Sequence, residues 1–182
     1  MFKGQLYDAF IQAGREAGYP VTEDYNGYQQ EGFGPMHMTV DKGTRASASY
    51  SYLDPIKHRK NLTILTEALA DRIIFDGTKA HALKIRHKDQ NKILVAKREI
   101  ILSAGSIGSP TLLQRSGVGP AKELKFRGVA PVLNLPGVGA NLQDHLEVYF
   151  QFRCTKPITL NNKLGLLSKA LIGAKWLLFK KG

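Results

Sequence analysis

The run Glu99-Ile100-Ile101-Leu102-Ser103-Ala104 leads straight into Gly105-Ser106-Ile107-Gly108-Ser109-Pro110, and this juncture constrains the chain most. A short, nearly continuous apolar run is the mark of a strand buried on both faces. Ser109 suits a helix N-cap and Pro110 the first helical position. Leu112, Leu113 and Ser116 continue the helix, and Gly117 ends it. A buried strand, a glycine turn and a helix in that order predict an α+β or α/β fold. Gly105 and Gly108 let backbone approach a ligand closely, and the helix N-terminus favours negative charge. That suits the pyrophosphate or ribose of a dinucleotide. A tight turn without a ligand fits the same residues, because the full GxGxxG fingerprint is absent.

A second block, Pro136-Gly137-Val138-Gly139-Ala140-Asn141-Leu142-Gln143-Asp144-His145, sets glycines before a cluster of polar side chains. Asn141 and Gln143 both donate and accept hydrogen bonds. Asp144-His145 has the look of an acid–base couple, but neighbours on an extended chain point to opposite faces. A turn braced by its own side chains is the alternative. The histidines show no metal spacing, so no metal site is expected.

The flanking segments give the architecture. Leu6, Phe10, Ala13 and Ala17 fall at helical spacing, with Gly18 as a left-handed stop. Residues 21–45 lose periodicity and are rich in turn pairs, a long loop of the kind that often carries function. Residues 46–53 predict a short helix stopped by Asp54-Pro55. Residues 62–66, 72–75, 82–86 and 93–96 read as strands of a β-meander, with Asp76-Gly77 as a hairpin turn. Pro120 to Phe126 predicts a helical turn or two, and residues 132–135 a short extended piece. Residues 146–154 alternate Leu146, Val148, Phe150, Phe152 and Cys154 with polar neighbours, the pattern of a half-buried strand. Cys154 then falls on the apolar side as a small core residue. Leu167, Ala170, Leu171, Ala174 and Leu178 form the stripe of a last helix that also carries Lys169, Lys175, Lys180 and Lys181. Such a helix lies on a membrane or packs within a domain; its broad apolarity favours packing on more than one side.

Composition bounds the partners. The 182 residues hold 26 Lys+Arg against 15 Asp+Glu, a net charge of +11. The basic residues are spread along the chain and lack the interleaved aromatics of a base-stacking surface, so no nucleic acid partner is expected. The single cysteine excludes an intrachain disulfide and suits a reducing, cytoplasmic setting. No apolar run is long enough for a transmembrane helix, so any membrane contact is peripheral, at the inner face.

Residues 105–119 resemble the second signature of the glucose–methanol–choline (GMC) flavoprotein oxidoreductases, and the block at 136–145 resembles the family's next conserved stretch. Asn26 to Met36, Arg45-Ala46-Ser47, Tyr52-Leu53-Asp54, Asn61-Leu62-Thr63-Ile64 and Ile73 to Gly77 are similar to the choline-oxidising members. The resemblance implies part of an FAD-binding domain, here a β-meander plus buried strand, glycine turn and helix, joined to part of an antiparallel-sheet substrate domain. It divides the chain into a flavin-side and substrate region at 1–60, an FAD-binding region at 61–145 and the start of the substrate domain at 146–182. It implies FAD as cofactor, with Ala70 by the adenine, Ala104 and Gly105 close to the cofactor, and Asn141, Gln143, Asp144 and His145 returning to it. It implies hydride transfer from the CH–OH group of choline, or a similar small alcohol, to the flavin, and onward transfer of electrons to a membrane acceptor. The alternatives are another alcohol substrate or a non-catalytic basic binding module. The family's N-terminal GxGxxG unit and its C-terminal catalytic histidine segment find no match here. The expectation is therefore an internal piece, inactive alone, with no catalytic residue among its histidines.

Overall fold

A computed structural model describes residues 4–180. Lys181, expected beside the last helix, lies outside the described residues. The chain divides into two units, residues 60–148 and residues 1–59 with 149–182. The second of these carries a small hairpin, β1 (Val40–Asp41) and β2 (Thr44–Arg45).

The unit at 60–148 is built on a three-stranded antiparallel meander. β3 (Ala68–Asp76), β4 (Lys79–His87) and β5 (Gln90–Val95) lie in the order β3-β4-β5. The β3–β4 turn pairs Asp76 with Lys79 and places Gly77 at φ +57, a left-handed angle that glycine adopts without steric cost. Lys88 and Asp89 both take positive φ between β4 and β5, the two-residue hairpin geometry that matches strand twist. Register slips at Asp71, between the Ala70↔Ile85 and Arg72↔Lys84 pairs, so β3 carries a bulge there. Helix α2 (Gly105–Arg115) packs on β3. Beyond it, β6 (Val118–Gly119), α3 (Ala121–Phe126) and β7 (Leu133–Asn134) form a small parallel crossover. Ile73, Ala82, Ile85, Leu112, Val118 and Leu124 are buried. Asn134 Oδ1 accepts the Ala121 N–H at 3.0 Å at the start of α3.

In the other unit, α1 (Gln5–Glu16) ends as expected before Gly18, at φ +85. Gly14 is buried against the Phe33 ring, which any Cβ at position 14 would strike. Phe33 also meets Phe10 and Tyr19 at 5.1 and 5.5 Å between ring centroids. Thr22 closes the 21–33 loop, its hydroxyl donating to the Gln29 carbonyl at 2.9 Å. Helix α4 (Leu166–Phe179) is held to the β1–β2 hairpin by Trp176, whose Nε1–H donates to the Gly43 carbonyl at 2.7 Å. Lys180 lies over the same indole, 3.8 Å from its centroid.

Several expectations are corrected. Residues 62–66 are not a strand; β3 begins at Ala68. Residues 99–104 have no regular structure and join no sheet among the described residues, and Ile101 is 77% exposed, so the doubly buried strand is not formed. Residues 146–154 likewise form no ladder among the described residues, with Phe152 90% exposed, and Cys154 is half-buried outside any strand. In both segments apolar side chains suited to a sheet lack a partner strand. Asp54-Pro55 does not stop the helical turn at Ser49–Leu53. A tighter turn continues through Asp54–Ile56, because proline at the start of a turn lacks only an N–H that would go unused. Helix α2 begins at Gly105, a turn before Ser109-Pro110, so Pro110 lies inside it.

Candidate functional site

The early start of α2 shapes the site. Ala104 precedes the helix, and Gly105 turns the chain into it at φ +77 with open space where a Cβ would project. No side chain caps this end from the N-cap position. Ser109 Oγ instead accepts the Ala104 N–H at 3.0 Å from inside the helix. The N–H groups of the first turn have no partner within the helix and, with the helix dipole, create positive potential there. Pro110 cannot donate to the Ser106 carbonyl, so that acceptor lacks its usual helix donor. A side chain on Gly108 would press on the Ala104 Cβ at 2.9 Å.

The block at 136–145 folds back onto this helix. Gln114 is the clamp: its Nε2 donates to the Val138 carbonyl at 2.9 Å. A Cβ on Gly139, at φ +82, would stand 2.6 Å from the same nitrogen, so glycine is needed for both angle and space. Between helix and turn lies a cleft of ≈ 440 Å³, within the range of small-molecule sites. Ser106, Ile107, Thr111 and Gln114 line one wall, Asn141 and Gln143 the other. Asn141 takes φ +55, a left-handed angle that Asn tolerates better than most residues.

Of the residues singled out in the sequence, Asn141 and Gln143 are brought to the cleft, and Ala104 and Gly105 adjoin it through α2. Asp144 and His145 are exposed and do not line it. The Asp144 carboxylate accepts the His145 backbone N–H at 2.8 Å, which favours the bracing alternative over an acid–base couple. Ala70 lies in β3, opposite Ile85 and beside the bulge. Gln114 and Thr111 were not anticipated. Their spacing with Ile107 places all three on one helix face, and that periodicity was the available signal.

Two contacts tie α2 to β3. The buried Ser116 hydroxyl donates to the Leu112 carbonyl at 2.6 Å and accepts the Ile73 N–H at 2.8 Å. Arg115 pairs with Asp71 at the bulge, and Lys84 lies 3.6 Å from the same carboxylate. Ala70 and the cleft-lining helix are thereby fixed to one scaffold.

Comparison with protein-family models matches residues 3–147 to the GMC oxidoreductases. The chain is 56% identical over 177 residues to the oxygen-dependent choline dehydrogenase of Photobacterium profundum, covering 97% of this chain and 31% of that protein. The namesake protein of Vibrio vulnificus is also 56% identical, with 97% and 32% covered. The chain thus spans about a third of the length of these relatives. Among solved structures, an FAD-dependent oxidoreductase from Chaetomium thermophilum superposes with TM-score 0.78 at 27% identity, over 100% of this chain and 32% of that one. Pyridoxine 4-oxidase from Mesorbium loti gives TM-score 0.67 at 34% identity, over 73% and 26%. With its mixed α+β architecture and a family match over most of its length, the chain belongs to the GMC oxidoreductases.

Proposed function

We propose that these residues form the cofactor-holding portion of an FAD-dependent enzyme that oxidises the CH–OH group of choline, or of a similar small alcohol, to the aldehyde. The cleft at the N-terminus of α2 carries this reading. Its donors and acceptors fit part of a dinucleotide: first-turn N–H groups and helix dipole for phosphate oxygens, Asn141 and Gln143 for hydroxyls. The open left-handed turn at Gly105 allows close backbone approach. Ala104 and Gly105 would lie against the cofactor and Asn141 and Gln143 across the cleft from them. Asp144 and His145 follow on the same segment, and Ala70 stands by the adenine. Bound FAD supplies the acceptor for the alcohol's hydride. The role of this chain is to bind and orient it, and none of its histidines is assigned the catalytic base.

Choline is favoured as substrate by the names of relatives at 51–56% identity. In this reading residues 1–60 belong to the flavin-side and substrate region, 61–145 to FAD binding and 146–182 to the substrate domain. The 182 residues alone are expected to oxidise nothing.

The test is a chimera in which these residues replace the matching segment of the Photobacterium profundum relative. The expected result is stoichiometric flavin and choline oxidation, by oxygen uptake or dye reduction, within about tenfold of the parent, or about 1.4 kcal/mol of barrier. A folded chimera without flavin would overturn the cofactor reading. Flavin retained with turnover of another alcohol but not choline would overturn the substrate.

A further inference from the structure

The C-terminal end of α2 makes three separate contacts from three consecutive residues. Gln114 reaches the 136–140 turn, Arg115 the bulge in β3, and Ser116 the backbone of β3. Successive helix residues lie about 100° apart, so these contacts leave the helix in three directions. One contact fixes where a helix sits; a second, around the axis from it, fixes its roll. The buried Ser116 supplies the first, and the pair of Arg115 with Asp71 supplies the second. Roll matters because Ile107, Thr111 and Gln114 form one wall of the cleft from a single helix face. A roll of about 20° would carry a side-chain tip, about 5 Å from the axis, through roughly 2 Å. A binding constellation has to be held within about 0.5 Å.

The bulge places Asp71 where this second contact is needed. Arg72 and Lys84 stand directly opposite each other in the β3–β4 register, and like charges so placed repel. Asp71 Oδ2 lies 3.7 Å from Arg72 Nε and 3.6 Å from Lys84 Nζ, while Oδ1 accepts from Arg115 Nη2. Among the described residues none of these three cations pairs with another carboxylate. The Asp71 side chain is 22% exposed, so its loss would leave three positive charges facing one another where α2 meets the sheet. Neither Asp71 nor Arg115 lines the cleft, and the pair acts on it through the helix. We propose, on the flavin reading above, that Asp71 and Arg115 are positioning residues for the bound dinucleotide. They hold the roll of α2, and with it the cleft wall, in register with the backbone at Ala70.

The test uses the full-length chimera. Flavin release on dilution is followed by the rise of free-flavin fluorescence, well below the melting temperature. Arg115→Gln should release flavin about tenfold faster, the low end for a charged hydrogen bond because the Arg115 side chain is 50% exposed. Asp71→Asn should exceed that, and D71N/K84Q should recover part of the loss by removing one of the stranded cations. Arg115→Lys keeps the charge without the planar fork and should fall between the parent and Arg115→Gln. Arg72→Gln is the internal control, because Arg72 meets the same carboxylate without reaching α2; release should stay within about twofold of the parent. A pair that only stabilised the fold would lower the melting temperature of the flavin-free protein and leave release unchanged. That result would overturn the proposal, as would equal release from Arg72→Gln and Arg115→Gln. If Arg115→Gln does not fold, Arg115→Lys against Arg72→Gln decides in the same way. A parent chimera without flavin would overturn the flavin reading and this proposal with it; flavin held equally by the parent and every variant would overturn this proposal alone.

Discussion

Residues 79–87 and 146–154 both contain alternating apolar side chains, yet only the first is a strand. β4 has neighbours on both sides, each reached through a two-residue turn, so it is flanked by a ladder on each side over residues 82–87. Residues 146–154 have equally suitable side chains and no neighbouring strand among the described residues. Alternation therefore states which faces a segment could bury; the ladder decides whether it does. The same contrast separates the 99–104 run from α2, which follows it directly. The helix pairs the middle of its own backbone and packs on β3, whereas the apolar run before it joins no sheet among the described residues.

Three measurements press on this contrast. The largest effect should come from Leu112→Ala, which empties a buried site under β3 and should cost about 2–5 kcal/mol in a urea titration. Phe152→Ala, in the segment outside the sheet, should stay within about 0.5 kcal/mol. Equal losses would show that the extended segment is as firmly packed as the meander. Next, Ser116→Ala removes the acceptor of a buried N–H and should cost about 1–3 kcal/mol, while Ser116→Cys should recover little because sulfur is a weak acceptor. A neutral result would mean that α2 and β3 are held by apolar packing alone. Smallest, Gln114→Ala should lower stability by about 1 kcal/mol. In the chimera it should also lower flavin retention, because the 136–140 turn loses its clamp. Unchanged flavin content would detach that turn from cofactor binding.

These contrasts also explain what the sequence revealed. The meander was legible because its partners are close along the chain: alternation together with Asp76-Gly77 names both strands and the turn between them. Residues 62–66, 99–104 and 146–154 carry strand-like side chains, but pairing is a non-local property that side chains do not encode. Ser109-Pro110 is a sound local signal for a helix start. It was outweighed by the left-handed turn at Gly105, with Ser109 reaching back to the Ala104 N–H. Half of the cleft was legible: the glycines and the Asn141–Gln143 cluster announce themselves by type. Gln114 did not, because its role depends on a carbonyl 24 positions away.

The bond from the Ile73 N–H to Ser116 has a consequence for growth of the sheet. β3 is an outer strand, and an outer strand presents unpaired groups to which another chain can add. The bulge at Asp71 breaks the regular spacing of that row, the Ser116 hydroxyl occupies one of its donors, and α2 lies along it. β5, the opposite outer strand, is exposed along its whole length among the described residues. The meander is therefore asymmetric toward strand addition: blunted along β3 and open along β5.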